Sequence, residues 1–398
     1  MKPYAGCTPE GTRDLLFEEC RALRQAEKLL GSLLTSRGYH KVITPTLEFF
    51  DVFRTGSGDN HSPESLYSLF DPQGRMLVLR PDSTLPIARI AATRLRDAVY
   101  PLRLYYCQSV FRRSKRFAGE QDETMQGGLE LIGAAGLAAD LEVLTTSIEL
   151  LERYSDGQHP NAQSAEASSD FRLEIGHAGF FAALTDYFAI PPDIRDEIHT
   201  LIAAKDFAAL GDLLDTIEHP DAREAVRALP ELFGGAEVLD RAEKLVPTTA
   251  AREALGYLRK VYELLKGTSG GAKIALDLSP NSWGSYYTGL VFRGYSEGCG
   301  HAVLSGGRYD NLMREYGKDL PAIGMGVKLG ELAKLLQPQK PLVPDILVFA
   351  EPGHEPAALE CIRELTASGL IAEFALQETL SDAQAYAAAR GIDKIKII

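Results

Sequence analysis

Residues 125–132 read Met125-Gln126-Gly127-Gly128-Leu129-Glu130-Leu131-Ile132. Met125, Gly127, Leu129 and Leu131 alternate with Gln126, Gly128, Glu130 and Ile132, and a period of two marks a β-strand. The alternation puts Gln126, Gly128 and Glu130 on one face. Two polar side chains flanking a glycine make a floor with a vacancy, where a ligand has room and hydrogen-bond partners. Taken alone, such a strand is more often a solvated sheet face.

Upstream, residues 102–112 (LRLYYCQSVFR) and 76–80 (MLVLR) also read as strands. Leu16, Cys20, Leu23, Leu30 and Leu34 recur at helical spacing, which predicts an amphipathic helix over 14–37 stopped by Gly38. The run KVITPTLEFFDVF is β-rich but broken by Pro45, which suits a sheet edge or an interface. Downstream, 138–154 is helical by period, 155–170 is a polar flexible loop, and 178–266 is almost wholly helical. Strands return at 273–278 and 285–293, followed by a glycine-containing turn at Ser305-Gly306-Gly307-Arg308. The expected architecture is α+β. A large antiparallel sheet flanked by helices fills residues 1–335 and carries the 178–266 helical insert. A linker follows at 336–344, then a short βαβαβ appendage at 345–398.

Of the 398 residues, 45% are hydrophobic and 24% charged, as in an ordinary globular protein. No apolar run is long enough to span a membrane, and the N-terminus has no hydrophobic signal region. The five cysteines are scattered without a CxxC pair, which argues against a disulfide framework or zinc cage and for a reducing cytoplasm. No metal or cofactor is expected. The net charge of −13 counts against gripping tRNA, because neutralising phosphates takes basic surface.

Other candidate ligand residues are Asp82 in RPDST, Arg112 in VFRRSKR and Tyr286-Tyr287 in GSYYTG. The planar guanidinium of Arg112 suits a carboxylate or phosphate. Each has an ordinary alternative: paired tyrosines are commonly packing, and Arg112 sits in what reads as an exposed basic turn.

In order, GTRD, GYHKVITPTLE, LRPDST, LYYCQSVFR, QGGLELIG, YYTGLVF, SGGRYDNL and PAIGMGV resemble the class II aminoacyl-tRNA synthetases, and within them the histidyl branch, over residues 8 to about 335. The resemblance implies a ligand histidine, with Asp82 and Thr84 at its ammonium, Arg112 and Gln126 at its carboxylate, and Glu130 with the Tyr286-Tyr287 pair, chiefly Tyr287, at its imidazole. An acid opposes an ammonium, a guanidinium a carboxylate, and an acceptor reads a ring N–H. One departure is Asp82, where the family usually has glutamate.

The resemblance fails at the nucleotide chemistry. The family's arginine and aspartate ahead of the tyrosine pair are replaced by Ser282 and Ser285. Its Arg-x-Glu reads Arg112-Arg113-Ser114, and the arginine of its last motif is replaced by Glu331 in Lys328-Leu329-Gly330-Glu331. Fixed positive charge is usually the largest catalytic term, so such losses cost orders of magnitude in rate. A retained amino-acid floor without nucleotide chemistry resembles the regulatory subunits of short-form ATP phosphoribosyltransferase, which serve the first step of histidine biosynthesis. That resemblance implies a non-catalytic chain, a hetero-oligomer with the catalytic phosphoribosyltransferase subunit, and L-histidine as feedback effector. It also implies no tRNA partner and a homodimer formed through the 14–37 helix and the Pro45 segment. The alternatives are a divergent histidyl-tRNA synthetase and a free-standing amino-acid-binding module.

Overall fold

The computed structural model describes residues 6–54, 63–113, 121–155, 170–280, 286–336 and 341–398. The chain divides into two compact units, one of residues 1–15 with 22–337, the other of 16–21 with 338–398.

Helix α1 (Phe17–Ser36) opens the chain. Then come β1 (His40–Lys41), β2 (Leu47–Phe49), α2 (Asp51–Arg54), β3 (Ser68–Phe70), β4 (Met76–Leu79) and α3 (Thr84–Ala92). The long hairpin β5 (Leu102–Phe111) and β6 (Glu123–Ile132) leads to α4 (Leu137–Ser155) and β7 (Phe171–His177). The insert holds α5 (Ala178–Tyr187), α6 (Pro192–Ala204), α7 (Phe207–Asp215), α8 (Pro220–Ala228), β8 (Phe233–Gly234), α9 (Glu237–Leu245) and α10 (Thr249–Lys266). The first unit closes with β9 (Ile274–Asp277), β10 (Leu290–Ser296), β11 (Leu304–Arg308), β12 (Ala322–Lys328) and α11 (Leu329–Leu335).

Nine strands form one sheet in the order β1-β5-β6-β12-β11-β10-β7-β9-β8. Its neighbours are antiparallel except β1 with β5 and β7 with β9. β2, β4 and β3 make a separate small antiparallel sheet. The fold is the expected mix of helices and a large, mostly antiparallel sheet. The second unit holds β13 (Ile346–Phe349), α12 (Glu355–Ala367), β14 (Ala372–Phe374), α13 (Leu380–Arg390) and β15 (Ile395–Ile397), with all three strands parallel.

Helix α1 buries Ala26, Leu30, Leu33 and Leu34. Leu16 precedes the helix and Cys20 lies on its exposed side, so the apolar stripe begins a turn later than their spacing suggests. Leu30 lies over the backbone of Gly127, where any Cβ would collide with it. The expected loop at 155–170 falls largely, and the linker at 336–344 partly, on residues outside the described set.

Two local expectations are corrected. Ser305-Gly306-Gly307-Arg308 is not a turn but the body of β11, a central strand. The glycines serve close packing: a Cβ at Gly306 would collide with the Gly324 carbonyl oxygen and stand 2.5 Å from Phe292 Cζ. The strand expected at 285–293 begins at Leu290 and runs to Ser296. Tyr286 and Tyr287 therefore stand off the sheet, and the Tyr287 ring lies over Gly307.

Gly306→Ala should destabilise the chain by roughly 1–3 kcal/mol, the cost of overpacking a core. Gly256→Ala, on the exposed side of α10 with open space at its Cβ, should instead stabilise by about 0.5–1 kcal/mol. Urea midpoints shifted the same way by both variants would contradict this account of the two glycines.

Candidate functional site

Strand register brings the candidates together. Across the sheet, Tyr106, Gly128, Gly326, Ser305 and Arg293 pair in one row. Leu104, Glu130, Gly324, Gly307 and Val291 form the next row on the same face. Gln126 pairs with Lys328 two residues further along. The glycines leave a low floor, and above it lies a cavity of about 520 Å³. Asp82, Thr84, Arg112, Gln126, Glu130, Tyr286 and Tyr287 all line it.

The segment carrying Asp82 is pinned from below. Arg80 donates to the carbonyls of Thr44 (2.6 Å) and Ser109 (2.8 Å), and Gln108 Nε2 donates to Thr44 Oγ1 and Ser83 Oγ (both 2.9 Å). Helix α3 then starts at Thr84. The carboxylate of Asp82 accepts from the Leu85 backbone N–H at 3.3 Å, so it helps to start that helix as well as facing the cavity. Arg112 is exposed and donates from Nε to the Pro81 carbonyl at 2.7 Å.

Glu130 is the most constrained group, with 1% of its surface exposed. Thr84 Oγ1 donates to its Oε1 at 2.8 Å, and the Tyr309 hydroxyl donates to its Oε2. A Cβ at Gly324 would collide with that Oε2, so the carboxyl group fits only over glycine. Burial pushes its pKa up to about 8; the two hydrogen bonds oppose that and the Asp82 charge adds to it. Tyr106, Tyr286 and Tyr309 are held well above the usual tyrosine value by burial, and Tyr287 is pushed up to about 12. The rings of Tyr286 and Tyr287 stack with centroids 4.3 Å apart, and Tyr309 meets Tyr286 edge-on at 6.1 Å. The tyrosine pair is thus both packing and cavity wall.

The vacancy expected above Gly128 is not open to a ligand. A Cβ there would collide with the Tyr106 hydroxyl and the Met325 carbonyl, so Tyr106, from the strand alongside, has filled it. Sequence reasoning also missed Tyr309 and Arg293 as cavity residues. Tyr309 follows the Gly-Gly-Arg already noted, but its meeting with Glu130 depends on strand pairing. Lys205, from the α6–α7 junction of the insert, also lines the cavity, and no motif marks it. Of the positions read as lost nucleotide chemistry, Ser114, Ser282 and Ser285 lie outside the described residues. Glu331 accepts from Lys334 Nζ at 2.7 Å. Among the described residues, no group of three or more His, Cys, Asp or Glu is placed to hold a metal, and no helix is long and apolar enough to cross a membrane.

Sheet, α1 and site face together define a class II aminoacyl-tRNA synthetase-like core. The family model described as histidyl-tRNA synthetase matches residues 11–332. A protein of Clostridium acetobutylicum described as an ATP phosphoribosyltransferase regulatory subunit is 36% identical, with 97% of this chain and 94% of that protein covered. One from Acetivibrio thermocellus, described in the same words, is 35% identical over 98% of this chain and 91% of its own. The chain belongs to the family of ATP phosphoribosyltransferase regulatory subunits, built on a histidyl-tRNA synthetase-like domain. A crystal structure from Bacillus halodurans, titled an ATP phosphoribosyltransferase regulatory subunit/histidyl-tRNA synthetase, superimposes with a TM-score of 0.84 at 28% identity, covering 100% of this chain and 99% of that one. Histidyl-tRNA synthetase from a Nostoc species shares the fold, with a TM-score of 0.75 at 20% identity, covering 97% of this chain and 90% of that one.

The raised pKa of Glu130 has a definite sign. Its stabilising contribution is full below its ordinary value of 4.5, where folded and unfolded chains are both protonated, and is lost as pH rises through about 8. Glu130→Gln removes the titration, so the melting temperature of this variant relative to the parent should rise between about pH 5 and pH 9. A flat difference would mean that Glu130 is already ionised in the folded chain at neutral pH.

Proposed function

We propose that this chain is a non-catalytic regulatory subunit. It binds free L-histidine in the cavity and passes that signal to a catalytic ATP phosphoribosyltransferase subunit, controlling the first step of histidine biosynthesis. The observation that carries the reading is the joining of Asp82, Thr84, Arg112, Gln126, Glu130, Tyr286 and Tyr287 around one cavity, with carboxyl groups, a guanidinium and an amide among them. The zwitterion is met by these groups in turn. Its ammonium meets Asp82 and the lone pairs of Thr84, whose proton is given to Glu130. Its carboxylate meets Arg112 and the Gln126 amide. Its ring lies against Tyr287, with Glu130 as hydrogen-bond partner. The relatives named as regulatory subunits support the assembly with a catalytic partner.

The reading also holds that the chain does not make aminoacyl-adenylate or act on tRNA. The substitutions at Ser114, Ser282 and Glu331 support this, as does the net charge of −13. Purified chain should give only background pyrophosphate exchange with histidine and ATP, and robust exchange would point to the synthetase alternative. The minimal unit is a homodimer. The Pro45 segment supports it, with Ile43 (75%), Leu47 (44%) and Phe49 (45%) exposed as an apolar surface. Light scattering at micromolar concentration should return twice the chain mass, and a monomer would refute this part.

Feedback is a coupling free energy, so it must appear as histidine affinity that differs between states of the complex. Histidine should inhibit the reconstituted complex and leave the isolated catalytic subunit unaffected. Asp82→Asn keeps an acceptor for the Leu85 N–H but removes the charge facing the ammonium, so it should shift the inhibition curve to about tenfold higher histidine or more. An unchanged curve would put the controlling histidine elsewhere.

A further inference from the structure

We propose that Tyr257 and Arg308 are positioning residues of the ligand cavity, through which the helical insert sets the tyrosine wall of the site. The inference deepens the histidine reading and rests on it for the ligand. Neither residue is among the described residues that line the cavity. Successive side chains along a strand leave on opposite faces. At the end of β11, Gly307 lies under the Tyr287 ring and Tyr309 donates to Glu130. Arg308, between them, turns away to Asp140 of α4. One short stretch of backbone therefore carries two cavity walls and a buried guanidinium together.

That guanidinium is fixed through each of its nitrogens. Nε and Nη2 both donate to Asp140 Oδ1, the first at 2.9 Å, and Nη1 donates to Asp310 at 3.0 Å and to the Ala134 carbonyl at 3.3 Å. The Arg308 carbonyl accepts from the Thr288 backbone N–H at 2.8 Å. The Thr288 hydroxyl accepts from the Asp310 backbone N–H at 3.0 Å. Thr288 follows Tyr286-Tyr287 directly, so the tyrosine segment hangs on the same residue that Asp140 holds.

The insert reaches this cluster from its first helix and its last. From α10, the Tyr257 hydroxyl donates to Asp140 Oδ2 at 2.5 Å. At the start of α5, the Ala178 N–H donates to the Gly289 carbonyl at 2.8 Å, one residue past Thr288. His177 caps α5 by accepting from the Gly179 N–H at 3.2 Å, and its ring meets the Tyr257 ring edge-on with centroids 6.1 Å apart. Hydrogen bonds are short and directional, so a shift of α5 and α10 against the sheet must move or break these. A buried group left unpaired is costly, which makes such a shift drag the tyrosine segment with it. The position of the insert and the setting of Tyr286, Tyr287 and Tyr309 are thus tied. A ligand that fixes the tyrosine wall fixes the insert too, because coupling between sites is reciprocal.

The test uses the full-length chain with Tyr257→Phe and Thr288→Val. Each removes one hydroxyl from a half-buried side chain and nearly keeps its shape, and Arg308 retains Asp140 and Asp310, so both should fold. Amide hydrogen exchange is measured first without ligand. Tyr257→Phe should speed exchange at 286–289, and Thr288→Val should speed it in α5 and α10. Added L-histidine should slow exchange of the parent in α5 and α10 as well as in β6. In Tyr257→Phe the slowing in β6 should remain and that in the insert should vanish. A hydroxyl with a merely structural role would speed exchange equally with and without histidine. Calorimetry should show each variant binding histidine about three- to tenfold more weakly, the effect of one hydrogen bond. Exchange at 286–289 untouched by Tyr257→Phe, or insert protection by histidine undiminished in that variant, would overturn the inference. A parent chain that binds no histidine would remove the histidine reading alone, and the comparison without ligand would still decide the coupling.

Discussion

A carboxyl group with 1% of its surface exposed must be neutral, hydrogen-bonded or paired, and Glu130 satisfies this with its proton and two hydroxyl donors. Thr84 comes from the start of α3, Tyr309 from the residue after β11, and the space for the carboxyl from Gly324 on β12. The arrangement therefore holds only if β6, β12 and β11 pair in one register and α3 begins at one residue. A slip by a single residue would turn Glu130 into the opposite, apolar face. The site and the central sheet are one structural problem with one solution.

The same face shows how a strongly acidic chain can present a basic cavity. Net charge governs solubility and long-range encounter, while a cleft is set by the few groups that line it. Here the described residues lining the cavity include Arg112, Lys205, Arg293 and Lys328 beside Asp82 and Glu130. Burial pushes the Glu130 carboxyl up to about 8, which favours its neutral form beside the Asp82 charge.

The insert is joined to the sheet through a buried polar cluster beneath the site. Asp140 of α4 accepts from Arg308 Nε at 2.9 Å and from the Tyr257 hydroxyl of α10 at 2.5 Å. Arg308 also reaches Asp310 at 3.0 Å, and it lies in sequence between Gly307, under Tyr287, and Tyr309, on Glu130. Removing one member of such a buried set leaves a stranded charge, which is far more costly than never having buried it. Insert, helix and site wall are thus held by shared bonds rather than by apolar contact alone.

Much of this was legible in the sequence because it is local. Period two in 125–132 marks β6, helical spacing marks α1 and α4, and the alternating strands and helices past 345 mark the second unit. The seven candidate ligand residues came from ordered motifs, and all seven line one cavity. What the sequence could not decide are pairings between distant segments. Gly306 and Gly307 read as a turn because glycine signals turns locally, yet here glycine is needed where neighbouring strands and the Tyr287 ring approach too closely for a Cβ. Tyr106 fills the gap over Gly128, Tyr309 reaches Glu130, and Lys205 arrives from the insert, none of which any spacing along the chain encodes. Periodicity reports which way a side chain points within its own element. Only packing reports what it meets there, because close contact is a property of two segments and the chain lists them one at a time.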